Sequence, residues 1–176
     1  GIDILISNSG SAFQGQMKDL DENILQNSMA NNFYSHHYII QKTVKIMINQ
    51  LFGGSISINL SKQSINPGNN FGPYGIAKAS ALFMMKQYAL ECGKHNIRVN
   101  GVNADRIQSG LLTKKMIIQR SKARGIKESD YLKTNLLNKE VTADDVAESF
   151  YVQLCLDKTT ANIITVDGGN IEASLR

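Results

Sequence analysis

The chain has 176 residues, 42% hydrophobic and 19% charged, with two Pro, two Cys and no Trp, a length that buries a sizeable core and excludes both a peptide scaffold and a disordered tail. Its net charge of +4 is concentrated rather than spread, which gives no support to a nucleic-acid face. No apolar run reaches the ~18 residues that cross a bilayer, and Gly1 to Gly10 lack the basic and apolar regions of a signal peptide, so a cytoplasmic protein with no membrane partner is expected.

Ile2, Ile4, Leu5 and Ile6 around Asp3 predict a strand that runs into a turn at Asn8-Ser9-Gly10. Apolar residues at three- and four-residue steps from Ile24 to Met47 predict a helix over about 22–50, with Asp21 as its cap and a break near Asn31-Asn32. Gly53-Gly54 ends it. Ser55 to Leu60 predicts a second strand, followed by a polar loop with Pro67, Gly68, Gly72 and Pro73. A second long helix is expected from Pro73 to Cys92, with Pro at its start and Gly93 past its end.

Ile97 to Asn103 is the third predicted strand, and residues 110–135 read as short helical pieces. Within them lie Lys114, Lys115, Arg120, Lys122, Arg124 and Lys127, with no Asp or Glu between. This segment is either a solvated helix face or a cation cluster near an anionic substrate or cofactor. Thr142 is a candidate cap for a helix to about Leu156. Ile163 to Val166 is a fourth strand, closed by Asp167-Gly168-Gly169. Strands alternating with long helices imply an α/β fold, a parallel sheet covered by helices, in one domain over residues 1–176.

One element expected of a doubly wound nucleotide-binding sheet is missing. Such sheets place a Gly-rich phosphate turn after the first strand, yet no G-x-G-x-x-G or G-x-x-x-x-G-K occurs in the chain. Either no dinucleotide binds by that route, or the sequence starts partway through a larger domain.

Tyr74-Gly-Ile-Ala-Lys78 opens the second long helix. The four-residue spacing puts phenol and ammonium on one face, where the cation favours a phenolate and makes the tyrosine a usable proton shuttle. Ser61 stands at the carboxyl end of the second strand, the edge where open α/β sheets gather reactive groups, and its hydroxyl can hydrogen-bond a substrate carbonyl. It can equally cap the following loop. Cys92 and Cys155 form no Cys-x-x-Cys pair and read as reduced, ordinary buried residues, while His36 and His37 read as packing residues rather than metal ligands.

Taken together, these residues resemble the short-chain dehydrogenase/reductase family from its fourth strand to its C-terminus. Ser7-Asn8-Ser9-Gly10 looks like the family's Asn-Asn-Ala-Gly motif, and Asn32 matches its helix asparagine. Ser61, Tyr74 and Lys78 match its catalytic residues, Ile97-Arg-Val-Asn100 its sixth strand and Val166-Asp-Gly-Gly169 its last. The resemblance implies a partial Rossmann-type sheet lacking the N-terminal strand–helix units, NAD or NADP as cofactor, and a small-molecule substrate. It implies Tyr74 as general acid/base, Ser61 orienting the substrate oxygen, Lys78 lowering the Tyr74 pKa, and Asn32 positioning a relay water. Asn8, Gly10, Tyr74, Lys78, Ile107 and Ser109 would meet the cofactor.

Ala104-Asp105 replaces the family's Pro-Gly, and Asp105 is expected to repel a pyrophosphate. With 122–126, 135–137, 141–144 and the tail 172–176, this variant resembles the dehydrogenase domain of bifunctional rhamnulose-1-phosphate aldolase/lactaldehyde (alcohol) dehydrogenases. Weak dinucleotide binding by the isolated chain is expected, since the Gly-rich turn is absent. A homodimer or homotetramer is expected, paired through Ala77, Ala81, Met84, Met85 and Tyr88 unless that face packs on the sheet. The rival reading is a non-catalytic remnant acting as a dimerising scaffold.

Overall fold

Four runs carrying Ile or Val pair into a single parallel sheet in the computed structural model, which describes residues 1–170. The strands β1 (Ile4–Ser7), β2 (Gly54–Asn59), β3 (Ile97–Ala104) and β4 (Ile163–Val166) lie side by side in chain order. Register is set by pairs such as Ile4 with Ser55, Ser55 with Arg98 and Gly101 with Ile163. Parallel neighbours need a crossover, supplied here by α1 (Glu22–Met29) with α2 (Ser35–Asn49), by α3 (Gly72–Cys92), and by α4 (Lys114–Ala123), α5 (Glu128–Tyr131) and α6 (Ala143–Cys155). These elements match the predicted order, and the expected break near Asn31-Asn32 is a π-helical turn over Ala30–Tyr34.

Alternation in β2 assigns its two faces. Ile56 and Ile58 point to a dry layer with Ile40 and Met47 of α2 and Ala81 and Met85 of α3. Ser55 and Ser57 are buried as well, on the opposite face, where α6 packs on the sheet. There the Ser57 hydroxyl donates to Gln153 Oε1 at 2.6 Å, and Gln153 Nε2 donates to the Gly101 carbonyl at 2.9 Å. Ser57 and Gln153 are tolerated inside because they satisfy one another and the Gly101 carbonyl. Arg98 of β3 donates to the carbonyls of Leu154 and Leu156, covering the negative C-terminal end of α6. At the other end of α6, Thr142 and Asp145 form a reciprocal capping box, and Asp21 caps α1 by accepting from Asn23 N–H.

Two expectations are corrected. Cys92 is buried but Cys155 is exposed, because it closes α6 on its outer side. Ala77, Ala81 and Met85, offered as a pairing face, are fully buried, since three- and four-residue steps from the core turn them onto the sheet. The outward face of the α2/α3 pair carries Phe83 and Leu90 instead, 71% and 78% exposed. It borders a groove of about 880 Å³ lined by Phe33, His37, Val44, Phe83, Met84 and Tyr88. β1 is an edge strand, and Ile4 and Ile6 remain about half exposed along it. The tail 172–176 lies outside the described residues.

A buried polar tie fixes the end of β1. Ser7 Oγ and His36 Nδ1 lie 2.6 Å apart, with His36 fully buried. Burial first, then the nearby Lys78 ammonium, lowers the His36 pKa from 6.5 to about 4, so the folded protein holds a neutral imidazole. The unfolded chain binds this proton at about pH 6.5 and the folded one only near 4, so stability is lost as pH falls through that window. The loss reaches up to roughly 3 kcal/mol from this group. Urea midpoints between pH 7 and 4 should show it, and His36→Gln should flatten that slope. Gly53 gives a second test: its φ is +81°, and a Cβ there would sit 2.1 Å from the Asn96 carbonyl oxygen. Gly53→Ala should lower stability by at least about 1–2 kcal/mol in the same titration at pH 7.

Candidate active site

The carboxyl ends of β1 and β2 and the N-terminal turns of α3 converge on one edge of the sheet. Just past β2, Ser61 has extended backbone, and its hydroxyl accepts from the Gln63 N–H at 3.2 Å, capping a short turn over Lys62–Ser64. That turn meets the start of α3, where a Cβ on Gly75 would lie 3.1 Å from the Gln63 carbonyl. The close approach brings Tyr74 back to Ser61 across the Pro67–Pro73 loop. Ser61 therefore serves both as a loop cap and as a neighbour of the phenol.

Tyr74 and Lys78 are both buried. The Lys78 Nζ lies 5.8 Å from the centre of the Tyr74 ring and donates to the Asn59 carbonyl at 2.8 Å. Burial lowers the Lys78 pKa to about 8. For Tyr74, burial pushes the pKa up and the Ser61 hydroxyl pulls the other way. The expectation that Lys78 sets a lowered Tyr74 pKa is thus not met in this arrangement. Removing the phenol from water outweighs the favourable groups around it.

Asn32 stands inside the π-helical turn, fully buried, and clamps the loop after β1. Its Oδ1 accepts from Ser11 N–H at 3.0 Å, and its Nδ2 donates to the carbonyls of Ser11 and Ser28 at 2.9 and 3.1 Å. Gly10 lies against this clamp: a Cβ there would be 2.9 Å from Asn32 Oδ1 and 3.7 Å from Lys78 Nζ. Only a residue without a side chain leaves that approach open. Asn8 joins the two strand ends, its Oδ1 accepting from Asn59 Nδ2 at 2.5 Å.

Six of the residues singled out from sequence, Asn8, Gly10, Asn32, Ser61, Tyr74 and Lys78, therefore gather at one edge. Ile107 and Ser109 lie on the loop after β3, where Ile107 is half-buried and the exposed Ser109 turns its hydroxyl to its own loop, accepting from Leu111 N–H. Asp105 departs from expectation. Its carboxylate is only 9% exposed and is held by Lys62 at 2.7 Å, Arg106 at 3.5 Å and the Asn170 amide at 3.1 Å. Two cations neutralise it, so it does not act as a bare repelling charge.

Three contributors escape the sequence reading. Asn59 solvates Lys78 through its backbone, which no side-chain motif marks. Lys62 signals itself only as the residue after Ser61. Arg120, one cation among six in its segment, lies with its guanidinium 4.9 Å from the Phe71 ring centre, and Phe71 meets Tyr74 edge-on at 6.2 Å.

The donor set fits the nicotinamide-ribose end of a dinucleotide. A buried ammonium, a phenol and a serine hydroxyl share one edge with the bare backbone of Gly10, and Asn59 Oδ1 is buried without a hydrogen-bond partner among the described residues. The sequence contains no Gly-rich phosphate turn of the G-x-G-x-x-G or G-x-x-x-x-G-K type.

Residues 1–170 match the family model described as enoyl-(acyl carrier protein) reductase. The chain is 30% identical over 180 residues to the uncharacterized oxidoreductase YuxG of Bacillus subtilis, covering 96% of this chain and 26% of that protein. It is 34% identical over 101 residues to dehydrogenase/reductase SDR family member 4 of Oryctolagus cuniculus, covering 57% of this chain and 38% of that one. Its fold is similar to that of a 7α-hydroxysteroid dehydrogenase complexed with NADH and 7-oxo glycochenodeoxycholic acid, with a TM-score of 0.82 at 23% identity. That alignment covers 97% of this chain and 64% of the solved one, so the chain spans well under half of these curated relatives and about two thirds of the structural one. A parallel sheet with Ser61, Tyr74 and Lys78 gathered at its carboxyl edge, and a family match over nearly its whole length, place this chain in the short-chain dehydrogenase/reductase family.

Proposed function

We propose that this chain carries the catalytic half of an NAD- or NADP-dependent oxidoreductase acting on a small alcohol, aldehyde or sugar-derived carbonyl. The observation that carries the reading is the meeting of Tyr74, Ser61 and Lys78 at the edge where Gly10 leaves the backbone bare. A bound nicotinamide supplies the hydride chemistry. Family membership and the NADH-bound structural relative support that cofactor class.

Within this reading each residue has a stated task. Tyr74, kept protonated by burial, gives its phenolic proton to the substrate oxygen during carbonyl reduction and takes it back during alcohol oxidation. Ser61 orients that oxygen with its hydroxyl. Lys78, charged below about pH 8, provides the cation that stabilises a phenolate and binds the nicotinamide ribose through ammonium protons left over from Asn59. Asn32 holds the loop of Gly10 and Ser11 in place and would position a relay water beside Lys78. Asn8, Gly10, Ile107 and Ser109 would contact the cofactor.

The match to a relative of which this chain spans 26% supports a dehydrogenase segment within a longer polypeptide, as in bifunctional rhamnulose-1-phosphate aldolase/lactaldehyde dehydrogenases. Assembly into a homodimer or homotetramer would use the α2/α3 groove, whose exposed Phe83 a second copy would cover. Unpaired Cys92 and Cys155 favour the cytoplasm, and none of the described helices is long and apolar enough to cross a membrane. A scaffold without chemistry is the weaker reading, because a scaffold has no use for a buried ammonium beside a phenol.

The test is NAD(P)-linked turnover of L-lactaldehyde or a short alcohol by the polypeptide as its gene encodes it. Tyr74→Phe should lower kcat by about 10²–10⁴-fold, and undiminished turnover would refute the assignment. The 176-residue chain alone should bind NAD(H) and NADP(H) only weakly, and a calorimetric Kd in the low micromolar range would contradict the division of labour proposed here.

A further inference from the structure

The basic segment comes next to the site's surroundings at Arg120. α4 is capped by Thr113 and anchored by Ile117, which packs with Leu112 and Tyr131 in a small second core. Three residues after Ile117, Arg120 lays its guanidinium over Phe71, the ring that meets Tyr74 edge-on. Stacking fixes a long side chain that would otherwise lose its freedom only on binding a ligand.

Three other cations at this edge each have a partner among the described residues. Lys62 and Arg106 hold Asp105, and Lys78 donates to Asn59. Arg120 has no carboxylate within ion-pair distance among the described residues, and its Nη2 is buried with no hydrogen-bond partner among them. Sequestering part of a charged fork without a partner is costly, and the fold keeps it that way with one aromatic ring, Phe71, between it and Tyr74. Arg120 as a whole remains only partly buried, so part of its side chain is open to solvent although Nη2 is not. A planar fork matches a carboxylate in geometry and charge.

We propose that Arg120 is a substrate-binding residue that takes a carboxylate, and that the substrates are small hydroxy or oxo acids whose reacting oxygen faces Tyr74. This rests on the reading of Tyr74 as the proton donor. The same cation has a competing use, the phosphates of the cofactor, and the experiment separates the two.

On the 176-residue chain, calorimetry with L-lactate and its neutral isostere L-lactamide measures the preference for the anion directly. The wild type should favour lactate, and Arg120→Gln should reduce the lactate-to-lactamide affinity ratio by about 10–100-fold. Arg120→Lys keeps the charge without the fork and should fall between them, which also decides the matter if the Gln variant does not fold. Equal affinities for the two probes, absence of saturable lactate binding, or an unchanged ratio in both variants overturns the proposal. A variant that weakens NAD(H) or NADP(H) binding while leaving the lactate preference intact also overturns it, by assigning Arg120 to the cofactor. On the gene-encoded polypeptide, the kcat/KM ratio of lactate to 1,2-propanediol should drop by the same factor in Arg120→Gln. If lactate preference depends on Arg120 while Tyr74→Phe leaves turnover intact, the anion site stands and the proton-donor reading fails.

Discussion

The Lys78 ammonium is buried at the carboxyl end of the sheet, and the surrounding backbone must replace the water it gives up. The Asn59 carbonyl does so at 2.8 Å, where β2 ends. That placement requires α3 to begin at the same edge, so the loop after Ser61 must fold back tightly enough for Gly75 to touch the Gln63 carbonyl. It also requires the loop after β1 to pass without a side chain at Gly10, held by the Asn32 amide. A buried cation is among the most demanding groups a core can hold, and here three strand and helix ends are arranged around one.

That cation also governs its neighbours. The nearby charge helps keep His36 neutral, and a neutral His36 can hold Ser7 at the end of β1. Farther along the edge, Asp105 stands where a bare carboxylate would oppose an anionic ligand, yet Lys62 and Arg106 absorb its charge. Arg120 has no such partner among the described residues, and the contrast is physical: the first two cations complete an internal ion pair, whereas the third rests on an aromatic face.

Much of the architecture was legible in the sequence because periodicity and punctuation agree. β4 occupies the predicted Ile163–Val166, Thr142 caps α6, and the Asn31-Asn32 irregularity marks the π-helical turn. The apolar pattern failed on α3, a helix that is apolar nearly all round. Its Ala77, Ala81 and Met85 could face either the sheet or a partner, and no local rule distinguishes two apolar faces. Ser57 and Gln153 escaped notice because their hydrogen bond joins residues 96 positions apart.

Sequence alone determined the order of strands and helices, the Tyr74–Lys78 pairing on one helical face, and the position of Ser61 at a strand end. Those follow from local geometry, a 3.6-residue period and the chemistry of turns. Only the tertiary structure decided which charges remain available. Whether Asp105 repels or is neutralised, whether Tyr74 has a raised or lowered pKa, and that Arg120 stacks on Phe71 depend on burial and on partners distant in the chain. Desolvation and long-range pairing are properties of three-dimensional surroundings, and a linear pattern carries no record of them.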